Sequence, residues 1–160
     1  MACDTGTPWT VRQLRPHLHL GPSVHPADVA RLRRAGVTAV LSLQQPGVDL
    51  PQAAIERMRA ACEPIIVFHN VGIHDYDPDA VIQALPAALA VLQGLIGDGR
   101  IVYLHCSEGI NRAPSVGLAY LVRAEGLDLD AALAEHRRCD SGARPYAAVI
   151  DWLRNGHMSR

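Results

Sequence analysis

A chain of 160 residues has the length of one ordinary domain, and 49% hydrophobic with 19% charged residues excludes a disordered polymer. A formal net charge of −1 supplies no overall field for nucleic acid or an anionic membrane, so neither is expected as a partner. All 15 basic residues are arginine, which removes lysine chemistry from any active site.

The opening "MACDTGTPWTVRQLRP" has no apolar segment of signal type, no apolar stretch is expected to reach the length of a membrane span, and a cytoplasmic protein is expected. Cys3, Cys62, Cys106 and Cys139 lie far apart without CxxC spacing and are expected as free thiols. "VRQL" and "HLHLG" alternate polar with apolar residues and predict two short edge strands. His17 and His19 share a strand face there, but without a third ligand no metal is expected, and no cofactor. "HPADVARLRRAG" has a first-turn proline, helical apolar spacing and a closing glycine, so a helix is predicted, with "RLRR" on its solvated face.

"VTAVLSL" predicts a strand buried on both faces, "PQAAIERMRAAC" a helix, and "PIIVFHNV" another buried strand. "DPDAVIQALPAALAVLQGLIGDG" begins with an Asp–Pro helix entry, and Pro86 predicts a kink or break inside it. "RIVYLH" is the third buried strand. "APSVGLAYLVRAEG", "DLDAALAEHRR" and "RPYAAVIDWLRNG" are three further helices, with Cys62 and Cys139 each closing a helical segment as structural thiols. Strands alternating with helices predict a single α/β domain whose central sheet is mostly parallel and flanked by helices. Ligands in such sheets bind beyond the carboxyl ends of the strands.

"HCSEGINRAP" (105–114) occupies such a position, between the strand "IVYL" and a helix. Only a thiolate is a strong nucleophile, and holding a thiol ionised at neutral pH takes about 3–4 kcal/mol of preference for the charged form. The inward amides of a tight loop, the positive end of the following helix and the fixed charge of Arg112 can supply it to Cys106. The same amides with a forked guanidinium suit a tetrahedral phosphate, and Gly109 allows close backbone approach. His105 is expected to fix the loop through backbone hydrogen bonds and to help hold Cys106 ionised. The fitting chemistry is thiolate attack on a phosphomonoester, then hydrolysis of the phosphocysteine.

"HCSEGINR" matches the HCx5R signature of the cysteine-dependent protein tyrosine and dual-specificity phosphatases, and the chain resembles that family over nearly its whole length. The resemblance implies their fold, with a catalytic domain over 9–156. Within the family it is similar to the plant glucan phosphatases, through "LHLGPSVHPADVARLRRAGVTAVLSLQQ", "HDYDPDAVIQALP", the "RAP" after the loop and "HRRCDSGARPYAAVIDWL". Glu108 and Asn111 depart from the small residues typical of that group. The glutamate should repel densely charged substrates, and Asn111 can take left-handed backbone angles.

The resemblance further implies a general acid on a loop upstream of the cysteine, where Asp75, Asp77 and Asp79 are candidates. Asp77 precedes Pro78 and suits a helix N-cap; Asp79 falls in the first turn. Asp75 has no such structural explanation and matches the family's acid, with Asp77 the alternative. Tyr76 matches an aromatic at the substrate mouth, or packs within its loop. Ser115 hydrogen-bonds the loop or merely sits among small residues, the second being preferred. Cys106, Arg112 and Asp75 are thus the expected catalytic residues, with Ser107, Glu108, Gly109, Ile110, Asn111, Arg112 and Tyr76 around the substrate. That substrate is a phosphorylated protein or a phosphorylated carbohydrate. With aromatics at 4%, of which Tyr76, Tyr146 and Trp152 can lie near the surface, the protein is favoured over the glucan. A non-catalytic phosphate-binding module is the remaining alternative.

Overall fold

The computed structural model describes residues 11–156; the expected domain start at Trp9 and the thiol of Cys3 lie outside them. The strands are β1 (Arg12–Arg15), β2 (Leu18–Gly21), β3 (Ala39–Ser42), β4 (Val67–Asn70) and β5 (Val102–His105). They form one sheet in the order β1-β2-β5-β3-β4, with β1 antiparallel and every other pairing parallel. The helices are α1 (Val29–Arg34), α2 (Gln52–Cys62), α3 (Pro78–Gly97), α4 (Arg112–Arg123), α5 (Leu129–Cys139) and α6 (Ala147–Arg154), with a 3-10 turn at Pro26–Asp28 before α1.

Strand alternation sorts the core onto two faces. Leu18, Leu20, Ala39, Leu41, Val102 and Leu104 point into the larger cluster, with α3, α4, α5 and α6. Val40, Phe68 and Tyr103 point the other way, onto Leu32 of α1 and Ile55, Met58 and Cys62 of α2. The exposed Arg31, Arg33 and Arg34 leave only Leu32 of "RLRR" facing inward.

Four expectations change. β2 is not an edge strand, because it pairs with β5 as well as β1. β4 is the edge, with His69 exposed, so it is buried on one face only. Of the kink or break expected at Pro86, the break does not occur, because α3 runs continuously over Pro78–Gly97. Pro86 is exposed, so the carbonyl its ring leaves unpaired one turn earlier can be met by water. Lastly, α3 is long and apolar enough by composition to cross a membrane. In this fold its stripe of Val81, Leu85, Ala88, Leu89 and Leu92 lies in the core.

Register brings the carboxyl ends of three strands level: Gly21 and Ser42 both lie opposite His105. The loops leaving these three ends build the site.

Candidate active site

β5 ends at His105 and α4 begins at Arg112, so residues 106–111 turn in the space between. Gly109 has φ +75°, and a Cβ there would meet Gly21 C at 2.7 Å and Gly21 O at 2.9 Å. Only glycine fits this close approach to the end of β2. The Ser23 amide donates to Ser107 O (2.9 Å) on one side of the loop. On the other, the Arg144 amide donates to Ile110 O (2.7 Å), and Asn111 Nδ2 donates to Arg144 O (2.8 Å). Asn111 itself sits at φ −118°, so its use is this side-chain clamp and not a left-handed turn.

Cys106 is buried, and the Ala113 amide, in the first turn of α4, points at its Sγ from 3.5 Å. His105 Nδ1 lies 3.0 Å from Cys106 O, as expected of a residue that fixes the loop. Complete burial pushes this imidazole down to about 4, so any help it gives in holding Cys106 ionised comes through the loop it orders and not through a positive charge.

Arg112 is 1% exposed yet charged. Burial opposes its charge, but Asp49, Cys106 and Asp75 more than offset that. Nη1 and Nη2 donate to Asp49 Oδ2 (2.8 Å) and Oδ1 (3.0 Å), a bidentate fork. Nη1 also donates to Ile73 O (2.7 Å), and Nη2 to Ser107 Oγ (3.2 Å). Nε is buried without a partner. Two faces of the guanidinium are therefore anchored to protein while its Nε remains unused. Asp49 also accepts from the Gln45 amide (2.6 Å) and Ser107 Oγ (3.1 Å). Although burial works against it, the Arg112 bonds lead in holding its carboxyl below the usual range. Nothing in the motif flags Asp49; its only sequence signal is an acid shortly after a strand end in "LQQPGVD", four residues past the stretch of glucan-phosphatase likeness that closes at Gln45.

The loop after β4 brings Asp75 over this arrangement, with Oδ2 3.3 Å from Arg112 Nη2. Asp77 instead caps α3, accepting from the Ala80 amide at 3.1 Å, and Asp79 lies in the first turn. Tyr76 has φ +56° and is 77% exposed, so it does not pack within its loop. Ser115 is not a bystander: its Oγ donates to Asn111 O (2.8 Å) and accepts the Tyr146 amide (2.9 Å). Tyr146 was missed as a site residue; its hydroxyl donates to Asp75 Oδ1 at 3.0 Å. Trp152, also expected near the surface, is half-buried with Arg123 5.9 Å over its ring. Glu108 is exposed and borders a cleft with Arg12, Gly21, Pro22 and Asp140 that includes none of Cys106, Arg112 or Asp75. His17 faces Tyr120 Oη (3.3 Å) while His19 is buried, and no group of three metal-binding side chains occurs among the described residues.

Residues 20–155 match the family described as "Dual specificity phosphatase, catalytic domain". The amyloplastic phosphoglucan phosphatase DSP4 of Castanea sativa is 34% identical over 122 residues, which are 72% of this chain and 32% of that protein. Dual specificity protein phosphatase 12 of Mus musculus is 27% identical over 120 residues, 75% of this chain and 33% of that protein. The chain thus spans about a third of the length of these curated relatives, at 32% and 33%. Among solved structures, human DUSP28 is similar at a TM-score of 0.69 and 26% identity, covering 96% of this chain and 95% of that one. Tk-PTP in its active form has a TM-score of 0.75 at 22% identity, covering 91% and 94%, a likeness of fold.

Proposed function

The chain belongs to the dual-specificity phosphatase family, and from that membership we propose that it hydrolyses phosphomonoesters through a phosphocysteine at Cys106. The observation that carries this reading is convergence: Cys106 and Arg112 bound one loop, and Asp75, from a separate stretch after β4, reaches within 3.3 Å of Arg112. In the first step Cys106 Sγ attacks phosphorus, and the S–P bond forms as the P–O bond breaks. Asp75 gives its proton to the leaving oxygen. In the second step a water oxygen attacks phosphorus, its proton passes to Asp75, and the S–P bond breaks to release phosphate and the thiolate. Arg112 and the loop amides hold the equatorial oxygens throughout. No residue in this scheme requires a metal.

Cys106→Ser should abolish turnover of an aryl phosphate yet keep phosphate affinity, because the amides and Arg112 remain; Arg112→Ala should lose both. Turnover surviving Cys106→Ser would overturn the mechanism. An inactive wild-type chain that still binds phosphate would instead indicate a binding module.

We favour a phosphorylated protein as substrate. Exposed Val48, Tyr76 and Ile110 belong to the Asp49 loop, the acid loop and the phosphate loop respectively. Three apolar side chains on the site's three loops suit the side chains beside a phosphorylated residue. Gripping a polysaccharide needs several aromatic platforms, and of the three candidates only Tyr76 presents an open ring. A phosphorylated glucan is the second reading, favoured by the 34% identity to the Castanea sativa enzyme. Co-sedimentation with amylopectin, and phosphate release from phosphorylated starch that outpaces release from phosphopeptides, would decide for it.

A further inference from the structure

Asp75 Oδ1 accepts two hydrogen bonds, from the Tyr76 amide (3.0 Å) and from the Tyr146 hydroxyl (3.0 Å). The Tyr146 oxygen also accepts the Tyr76 amide at 2.9 Å, so its single O–H is directed to Asp75. Burial first, with a contribution from the Asp75 charge, pushes this hydroxyl up to about 12, and it stays a donor at neutral pH. Two donors fill the acceptor positions of Oδ1 and leave no favourable place for a proton there. A proton on Asp75 must then reside on Oδ2, the oxygen turned toward Arg112. Arginine has no acceptor. The proton's natural recipient is an oxygen of whatever occupies the loop.

Tyr146 is itself held from behind. Its amide donates to Ser115 Oγ, whose hydroxyl donates to Asn111 O at the end of the phosphate loop. The backbone at 146 is thereby tied to the loop, and its side chain reaches the acid. Tyr76, at φ +56°, sits in the left-handed conformation that turns its amide onto both oxygens.

We propose that Tyr146 is the positioning residue of the general acid, selecting Asp75 Oδ2 as the proton-carrying oxygen and holding it over the phosphate loop. The proposal rests on Asp75 being the acid, and the experiment separates the two ideas. Turnover of phenyl phosphate, whose leaving group needs a proton, is compared with that of 4-nitrophenyl phosphate, whose leaving group does not. Asp75→Asn tests the acid: its loss of kcat/KM, which reports the first step alone and not the shared hydrolysis of the phosphocysteine, should be large for phenyl phosphate and small for 4-nitrophenyl phosphate. Tyr146→Phe keeps the ring and removes one hydrogen bond to a charged group. It should lower kcat/KM for phenyl phosphate about 10-fold while sparing that for 4-nitrophenyl phosphate, with inorganic phosphate affinity unchanged. In the Asp75→Asn background the same change should cost nothing further, because the two residues act as a unit.

Should Tyr146→Phe fail to fold, Ser115→Ala, which frees the Tyr146 amide, should give the same selectivity in weaker form. A selective Asp75→Asn beside an unselective, or inactive-on-both, folded Tyr146→Phe overturns the role of Tyr146 alone. Full additivity in the double variant does the same. An unselective Asp75→Asn overturns the assignment of the acid beneath it.

Discussion

Asp49 and Asp75 both meet Arg112, yet they ask different things of it. Asp49 takes both Nη atoms in a fork at 2.8 and 3.0 Å, whereas Asp75 touches only Nη2 at 3.3 Å. The fork fixes the guanidinium plane and leaves Nε as the buried N–H without a protein partner. Asp49→Asn keeps the shape but removes the charge and one acceptor. It should weaken inorganic phosphate binding and lower kcat/KM about 10–100-fold, equally for good and poor leaving groups. Breaking a buried pair also strands Arg112, so urea unfolding should register a loss of about 3 kcal/mol. Asp49→Glu should recover part of both. A loss confined to poor leaving groups would mean that Asp49 serves proton transfer and not the arginine. Cys106 and Arg112 were legible because the motif spaces them within one turn-and-helix unit. Asp49 and Tyr146 were not, because 63 residues separate Asp49 from Arg112, and 71 separate Tyr146 from Asp75. Such pairings exist only once the sheet has ordered its loops.

Elements divide along the same line, between what neighbouring residues decide and what distant ones do. The helix after "DYDP" was readable from its cap and its proline, and Asp77 does cap α3 through the Ala80 amide. That assignment separates the two neighbouring acids experimentally. Asp77→Ala should cost about 1 kcal/mol of stability in urea unfolding, the usual worth of an N-cap. It should leave the phenyl to 4-nitrophenyl rate ratio untouched, and a collapse of that ratio would move the acid to Asp77. The burial of β3 and β5 was equally readable, since both are apolar up to their last residue and every residue is buried. The positions of β2 and β4 were not. Polar alternation in β2 reflects His19 on the α1–α2 side of a paired strand, and the apolar run of β4 continues into an edge. Sheet order depends on how crossover helices return, which no local pattern records.

At the scale of the whole molecule, the same burial that neutralises His105 makes the fold sensitive to acid. His105 is pushed down to about 4, by burial first, then by the Arg112 and His25 charges against the opposing Cys106 carbonyl bond. His19 and His136 are also held below the ordinary imidazole value, again chiefly by burial. Each folded-state value lies below the unfolded one, so on acidification the unfolded chain binds protons before the native chain does. Stability is therefore fully present above about pH 6.5 and drains away as pH falls toward the folded value. For His105 the window runs from about pH 6.5 to about 4 and is worth about 3 kcal/mol. His19 and His136 add in the same direction, and Asp49, with its lowered value, extends the loss below that range. Chemical denaturation in steps from pH 7.5 to 4.5 should show a plateau above neutrality and a steady decline below it. His105→Asn can still donate to the Cys106 carbonyl through its amide but binds no proton, so its curve should fall less steeply than the wild type's across that window. An unchanged slope in His105→Asn would show that the loop histidine takes up its proton without unfolding the chain, and that its burial is not what limits the fold in acid.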